Sequence, residues 1–150
     1  MRRLAPQLPV ALGCLLIAVA LLPGACRTGA PAPGPPFEPD PAVWEAAAAR
    51  GVDFRAVGNE PGWFLELDDG VQIVLVTDYG RRRYELPAPE PEVDRDDRRV
   101  TFDTESGGRR LVLTLAPGPC EDTMSGEEFE TTVTVTIDGE TYHGCGRALS

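Results

Sequence analysis

Three stretches of the chain alternate side chains with a period of two, and acidic-Gly or Gly-Gly turns follow them. Trp63, Leu65 and Leu67 alternate with Phe64 and Glu66, and Asp68-Asp69-Gly70 then leads into Val71–Val76. Val100 and Phe102 alternate with Thr101 and Asp103, and Ser106-Gly107-Gly108 leads into Leu111–Leu115. Val133, Val135 and Ile137 alternate with Thr132, Thr134 and Thr136, and Asp138-Gly139 leads into Thr141-Tyr142-His143. In an extended chain this period separates two faces, and such turns reverse the chain tightly, so the pattern is one of successive antiparallel hairpins. With Asp53–Val57 and Arg82–Leu86 added, about eight short strands are expected. That number suits an all-β fold, a small antiparallel barrel, and closure would remove unpaired edges. Pro87–Asp97, with three prolines and several acids, reads as a loop.

One helix precedes the strands. Asp40 can cap it, Pro41 fits its first position, Ala42–Arg50 continues it and Gly51 can end it in a left-handed conformation. A helix of about ten residues is too short to persist alone in water, so Val43 and Trp44 are expected to dock it on the sheet.

The N-terminus has the layout of an export signal. Arg2 and Arg3 precede an apolar run from Leu8 to Leu22, and small residues precede Cys26. The run is shorter than the roughly 20 residues that span a bilayer as a helix, so it reads as a leader and not as a permanent span. Gly24-Ala25-Cys26 resembles the bacterial lipobox, in which the cysteine is lipidated, although Pro23 stands where that signal carries Leu, Val or Ile. The rival reading is simple cleavage, with Cys26 left as a free thiol. The expected organisation is a leader at 1–25, a Pro/Gly-rich tether at 26–38 and a helix-plus-barrel domain at 39–150.

Export places Cys120 and Cys145 in an oxidising compartment, where an even pair is most simply a disulfide. Closing a loop of this length stabilises by about 3 to 4 kcal/mol in the chain-entropy model. These cysteines and the single His143 do not meet the four-ligand pattern of structural zinc, and no metal or other cofactor is expected.

The 14 basic residues are all arginine, against 24 acids, for a net charge of −10. Without Arg2 and Arg3 the balance is 12 arginines against 24 acids, or −12. Nucleic acid is a poor partner for such a chain, whereas a cationic protein would be steered toward it. The charge also serves solubility. Arg82-Arg83, Arg98-Arg99 and Arg109-Arg110 are expected to pair with acids across strands, with lipid headgroups as the rival partner.

Three segments are distinctive together: Gly58-Asn59-Glu60-Pro61-Gly62-Trp63, Cys120-Glu121-Asp122-Thr123-Met124-Ser125-Gly126 and Tyr142-His143-Gly144-Cys145-Gly146. They resemble an uncharacterised bacterial lipoprotein family with a G-N-E-P-x-W start, a C-x-D-x-M-S-G turn and a final Y-x-G-C. The likeness covers about Val52 to Leu149 and implies envelope location and a compact β fold. Such domains are similar in scale to META-type domains and to membrane-bound inhibitors of C-type lysozyme. The inhibitors carry an S-G-x-x-Y/F segment on the loop that enters the lysozyme cleft, and Ser125-Gly126-Glu127-Glu128-Phe129 matches that short pattern. No lysine is present for a second inhibitor contact. The competing structural reading makes Ser125 and Gly126 a tight turn and sends Phe129 into the core.

Catalytic readings are weaker. Met124-Ser125-Gly126 is not the G-x-S-x-G elbow of hydrolases, so Ser125 and His143 make no recognisable catalytic pair. Acidic pairs such as Asp68-Asp69, Glu121-Asp122 and Glu127-Glu128 read as solvated turns. Asp94-Arg95-Asp96-Asp97 lacks the glycine and terminal glutamate of a calcium loop. The chain is therefore expected to be a non-enzymatic, membrane-anchored envelope module. Asp122, Met124, Ser125, Gly126 and Glu127 are its candidate partner-binding loop. A small-ligand carrier is a further alternative, with Asn59, Glu60, Trp63 and Tyr142 at the barrel mouth, though small barrels more often fill themselves with side chains.

Overall fold

The computed structural model describes Asp40–Ser150. The leader at 1–25, Cys26 and the tether at 26–38 lie outside the described residues. Helix α1 (Pro41–Ala49) is followed by nine strands: β1 (Phe54–Asn59), β2 (Gly62–Asp68), β3 (Gln72–Thr77), β4 (Arg82–Pro87), β5 (Glu92–Asp94), β6 (Arg99–Ser106), β7 (Arg109–Glu121), β8 (Glu128–Ile137) and β9 (Glu140–Ala148). They form one antiparallel sheet, in the order β4-β3-β2-β1-β9-β8-β7-β6-β5, which curls into a half-barrel. The all-β class, the single helix and the Cys120–Cys145 disulfide are as expected.

The turns explain most of the register. Asp138 and Gly139 take φ of 51° and 83°, and Gly107 and Gly108 take 61° and 75°. Paired left-handed residues of this kind make the tight hairpin turns whose twist matches that of the strands they join. They set Ile137 opposite Glu140 and Ser106 opposite Arg109.

Two segments differ from expectation. Part of the expected loop at 87–97 is strand β5, which pairs Glu92 with Thr101 and Asp94 with Arg99. Its prolines precede the pairing residues, and an edge strand tolerates prolines there. The Asp94 carboxylate then accepts from the backbone N–H groups of Asp96 and Asp97, at 2.9 and 3.2 Å, and turns the chain into β6. Strand β7 also runs past the expected Leu111–Leu115 to Glu121. A register shift between Pro117 and Cys120 carries Pro117-Gly118-Pro119 through the sheet, because a bulge relieves proline of a ladder donor.

The inner face is closely filled. Trp63, Leu65, Ile73, Leu75, Leu111, Leu113, Val133, Val135 and Ile137 are all essentially inaccessible and belong to one core with Phe54, Phe102 and Tyr142. The curl brings edge strand β4 back toward the middle strands of the sheet, and Arg82 on β4 donates to Glu140 on β9 at 3.2 Å. The Arg109 guanidinium on β7 lies 5.3 Å from the ring centre of Tyr84 on β4. Of the arginine–acid pairs expected across strands, Arg110–Asp103 joins β7 to β6; Arg109 instead meets Asp138 in the β8–β9 turn, Arg82 meets Asp78 four residues earlier, Arg83 meets Glu85 on its own strand, and Arg99 approaches Asp97 at 4.0 Å. All lie at the surface, with only Asp78 half-buried, so each is worth about 0 to 1 kcal/mol.

Helix α1 lies on the outer face. Asp40 accepts from the Ala42 N–H at 2.9 Å, Pro41 occupies the first turn and Gly51 follows with φ 89°. Beneath α1, Arg55 on β1 stands directly between Glu66 on β2 and Arg147 on β9. Trp44 covers both arginines, with guanidinium-to-ring distances of 5.6 Å for Arg55 and 4.3 Å for Arg147. Two facing arginines repel, and an aromatic face together with a carboxylate offsets that repulsion.

Candidate functional site

The three distinctive segments meet at one end of β1 and β9. Their meeting begins with a steric requirement. A Cβ on Gly58 would sit 2.1 Å from the Trp63 Nε1, and one on Gly144 would sit 2.1 Å from the Val57 carbonyl oxygen and 2.7 Å from Trp63 Cζ2. The two glycines therefore make the slot for the Trp63 indole, whose N–H donates to the His143 carbonyl at 3.3 Å. Trp63 then packs edge-on against Tyr142 at 6.4 Å between ring centres. The first and third segments are thus halves of one packing unit.

The second segment joins through two links. Cys120 and Cys145 form the disulfide, with Cα atoms 5.6 Å apart, and Cys145 is buried against Trp44 and Phe129. Asn59, at the tip of the β1–β2 hairpin, donates from Nδ2 to Asp122 Oδ1 at 3.0 Å. Glu60 and Pro61 complete that tip through a cis peptide bond.

Asp122 organises the loop between β7 and β8. Its Oδ1 accepts from the Met124 N–H at 2.8 Å and the Ser125 N–H at 2.9 Å. Its carbonyl accepts from the Gly126 N–H at 2.7 Å, and its own N–H donates to the Glu127 carbonyl at 2.9 Å. The Ser125 hydroxyl accepts from the Glu127 N–H at 3.2 Å, and Arg147 donates to the Glu127 carboxylate at 2.9 Å. Burial pushes the Asp122 carboxyl upward. Hydrogen bonds from the Ser125 N–H, the Asn59 side chain and the Met124 N–H outweigh it and hold the group below the ordinary aspartate value.

The result is a loop tied down by its backbone while its apex projects. The Met124 side chain is 77% exposed. Ser125 is exposed too, as are the flanking carboxylates of Glu121, Glu128 and Glu130. A shallow depression of about 380 Å³ separates the loop from the Asn59–Glu60 tip, floored by Gly144 and the disulfide.

All five expected loop residues are therefore together, and Asn59 and Glu60 lie beside them. The barrel mouth of the small-ligand alternative is not assembled. Trp63 and Tyr142 are only 1% and 5% exposed and fill the interior, because the glycine slot draws the indole inward. Phe129 is buried, but against Trp44 and the disulfide and not in the main core. The His143 ring meets the Thr134 hydroxyl at 3.2 Å, and Ser125 is engaged with Glu127, so the two are not hydrogen-bonded to each other. Among the described residues, no group of three or more His, Cys, Asp and Glu side chains is placed to hold a metal ion.

Known proteins offer no guide here. No protein-family model, curated protein or solved structure matches the chain.

Sequence reasoning missed Arg147, which fixes Glu127 from the last strand, and the link from Trp44 to the disulfide. Arg147 did carry a signal. It lies two residues beyond Cys145, so on a strand it shares the face of the sulfur atom.

Proposed function

We propose that this protein is an exported, lipid-anchored envelope module that binds a partner protein without catalysis, and that the 121–127 loop is its contact element. The observation that carries this reading is the contrast within the loop between backbone N–H groups at Asp122 and Met124–Glu127 that all have acceptors and an apex methionine held in solvent. A loop already ordered loses little conformational entropy on docking, and methionine adapts to varied apolar surfaces. The acidic flanks and the net charge of −10 favour a cationic partner.

Photo-crosslinking in intact cells tests this. A crosslinker at position 124 should give a discrete protein adduct that the same group at exposed Val71 does not. Adducts at neither position, or the same adducts at both, would count against the loop.

A second reading is inhibition of a C-type lysozyme, favoured by the exposure of Ser125 within Ser125-Gly126-Glu127-Glu128-Phe129. Titrating lysozyme activity with the full-length chain should then show saturable inhibition that Ser125→Ala removes. Lack of inhibition at micromolar protein leaves the general binding reading alone.

A further inference from the structure

The first described helix and the candidate loop are wired to each other through one side chain. Trp44 reaches the loop by two routes. Through the Arg147 guanidinium, 4.3 Å from its ring centre, it meets the residue that donates to Glu127. Through Phe129, 5.5 Å away between ring centres, and through Cys145, it covers the disulfide that closes onto Cys120, two residues before Asp122. Arg147 is also within 5.5 Å of the Phe129 ring, so the two routes cross.

Helix α1 has few other holds. Of its nine residues only Trp44 and Ala47 are buried. Arg50, just beyond it, donates to Glu66 at 2.8 Å from an exposed position. A nine-residue helix does not persist in water by itself, so losing the Trp44 contact means losing the helix. The surface beneath would then carry Arg55 and Arg147 side by side on adjacent strands without the indole over them. Without the ring contact that holds it, the more exposed Arg147 would exchange its bond to Glu127 for water, whereas Arg55 is buried and bound to Glu66.

We propose that α1 is a strap that sets the order of the 121–127 loop: docked through Trp44 it clamps Arg147 onto Glu127 and covers the Cys145 side of the disulfide, and lifted it releases both. The strap follows directly on the Pro/Gly-rich stretch, so a pull or a contact at that stretch reaches the loop through a single aromatic residue. The regulatory meaning rests on the loop being the contact element. The coupling itself is independent of any partner and can be measured without one.

The experiment compares the full-length wild-type chain with Trp44→Phe and Trp44→Ala. It reads the rate of dithiothreitol reduction of Cys120–Cys145 and amide exchange at Met124–Glu127, with Leu113 and Val135 amides as monitors of the sheet. In Trp44→Ala both the reduction rate and the loop exchange should rise about tenfold while the monitors stay slow, as expected of a local opening. Trp44→Phe, which keeps an aromatic face, should recover most of the protection. Unchanged reduction and unchanged loop exchange in a folded Trp44→Ala chain would overturn the proposal. If Trp44→Ala loses the monitors' protection, the wild-type chain supplies the reverse test, because coupling is reciprocal. Reducing its disulfide should speed amide exchange in Trp44–Ala49, and α1 exchange indifferent to reduction would overturn the strap. Crosslinking at position 124 answers separately whether the loop meets a partner, so the two ideas can fail independently.

Discussion

The side-chain amide of Asn59 donates to the Asp122 carboxylate at 3.0 Å across 63 residues of sequence. One hydrogen bond thereby fastens the tip of the first hairpin to the loop that follows the seventh strand. The same Asp122 oxygen accepts from two loop N–H groups, so Asn59 holds the atom on which the loop is built. Replacing Asn59 with Ala should cost about 1 kcal/mol in urea denaturation, the net worth of such a bond. Asn59→Asp should cost more, because it sets a second carboxylate against the first.

The bonds to Asp122 also predict a pH dependence. Its folded-state pKa lies below the ordinary value of 3.8, so the stabilisation is fully present above that value and is lost as pH falls through the lowered one. In an NMR titration the Met124 and Ser125 amide signals should hold steady through the ordinary aspartate range and move only at lower pH. Asp122→Asn, which keeps an acceptor oxygen but cannot titrate there, should abolish that movement.

The Trp63 slot predicts a sharp contrast between glycines. Gly144→Ala places a methyl group 2.1 Å from a backbone oxygen that cannot rotate away, and it should destabilise by more than about 2 kcal/mol. Gly126→Ala meets no atom within 4 Å and is opposed only by its φ of 71°. Its cost should be nearer 1 kcal/mol. Equilibrium denaturation of the two variants separates these values.

Arg55 and Glu66 form a buried pair on the outer face, with side chains 3% and 13% exposed. Burial lowers the pKa of Arg55, yet the group stays charged and depends on that carboxylate. Glu66→Gln should therefore destabilise by about 3 kcal/mol or more. Arg55→Met combined with Glu66→Leu, which removes both charges, should cost less than Glu66→Gln alone.

These relationships were unequally legible in the sequence. The hairpins at Asp138-Gly139 and Ser106-Gly107-Gly108 are readable because period and turn chemistry are both local. Helix α1 is readable for the same reason, since Asp40, Pro41 and Gly51 mark its ends. Strand β5 is not, because Glu92-Val93-Asp94 is a strand only by virtue of pairing with β6, and its prolines argue locally against it. The passage of β7 through Pro117-Gly118-Pro119 depends on a bulge, which is likewise a relation to the neighbouring strand. For the site, the oxidising compartment suggested the Cys120–Cys145 bridge. The Asn59–Asp122 bond depends on how the sheet brings two distant loops together and the Trp44–Arg147 contact on where α1 docks; of these four residues only Arg147 carries a spacing signal, two residues beyond Cys145. The motif glycines Gly58 and Gly144 become intelligible only once the Trp63 indole is seen between them.

Native amide exchange across the loop in the full-length chain tests most directly whether the contact element is pre-ordered. The N–H groups of Met124, Ser125, Gly126 and Glu127 all have acceptors within the loop. They should exchange well below the unstructured rate although the Met124 side chain is in solvent, and Asp122→Ala should restore fast exchange at Met124 and Ser125. Exchange of these four amides at the unstructured rate in the wild-type chain would contradict a pre-ordered loop and, with it, the reading of this segment as a rigid contact element.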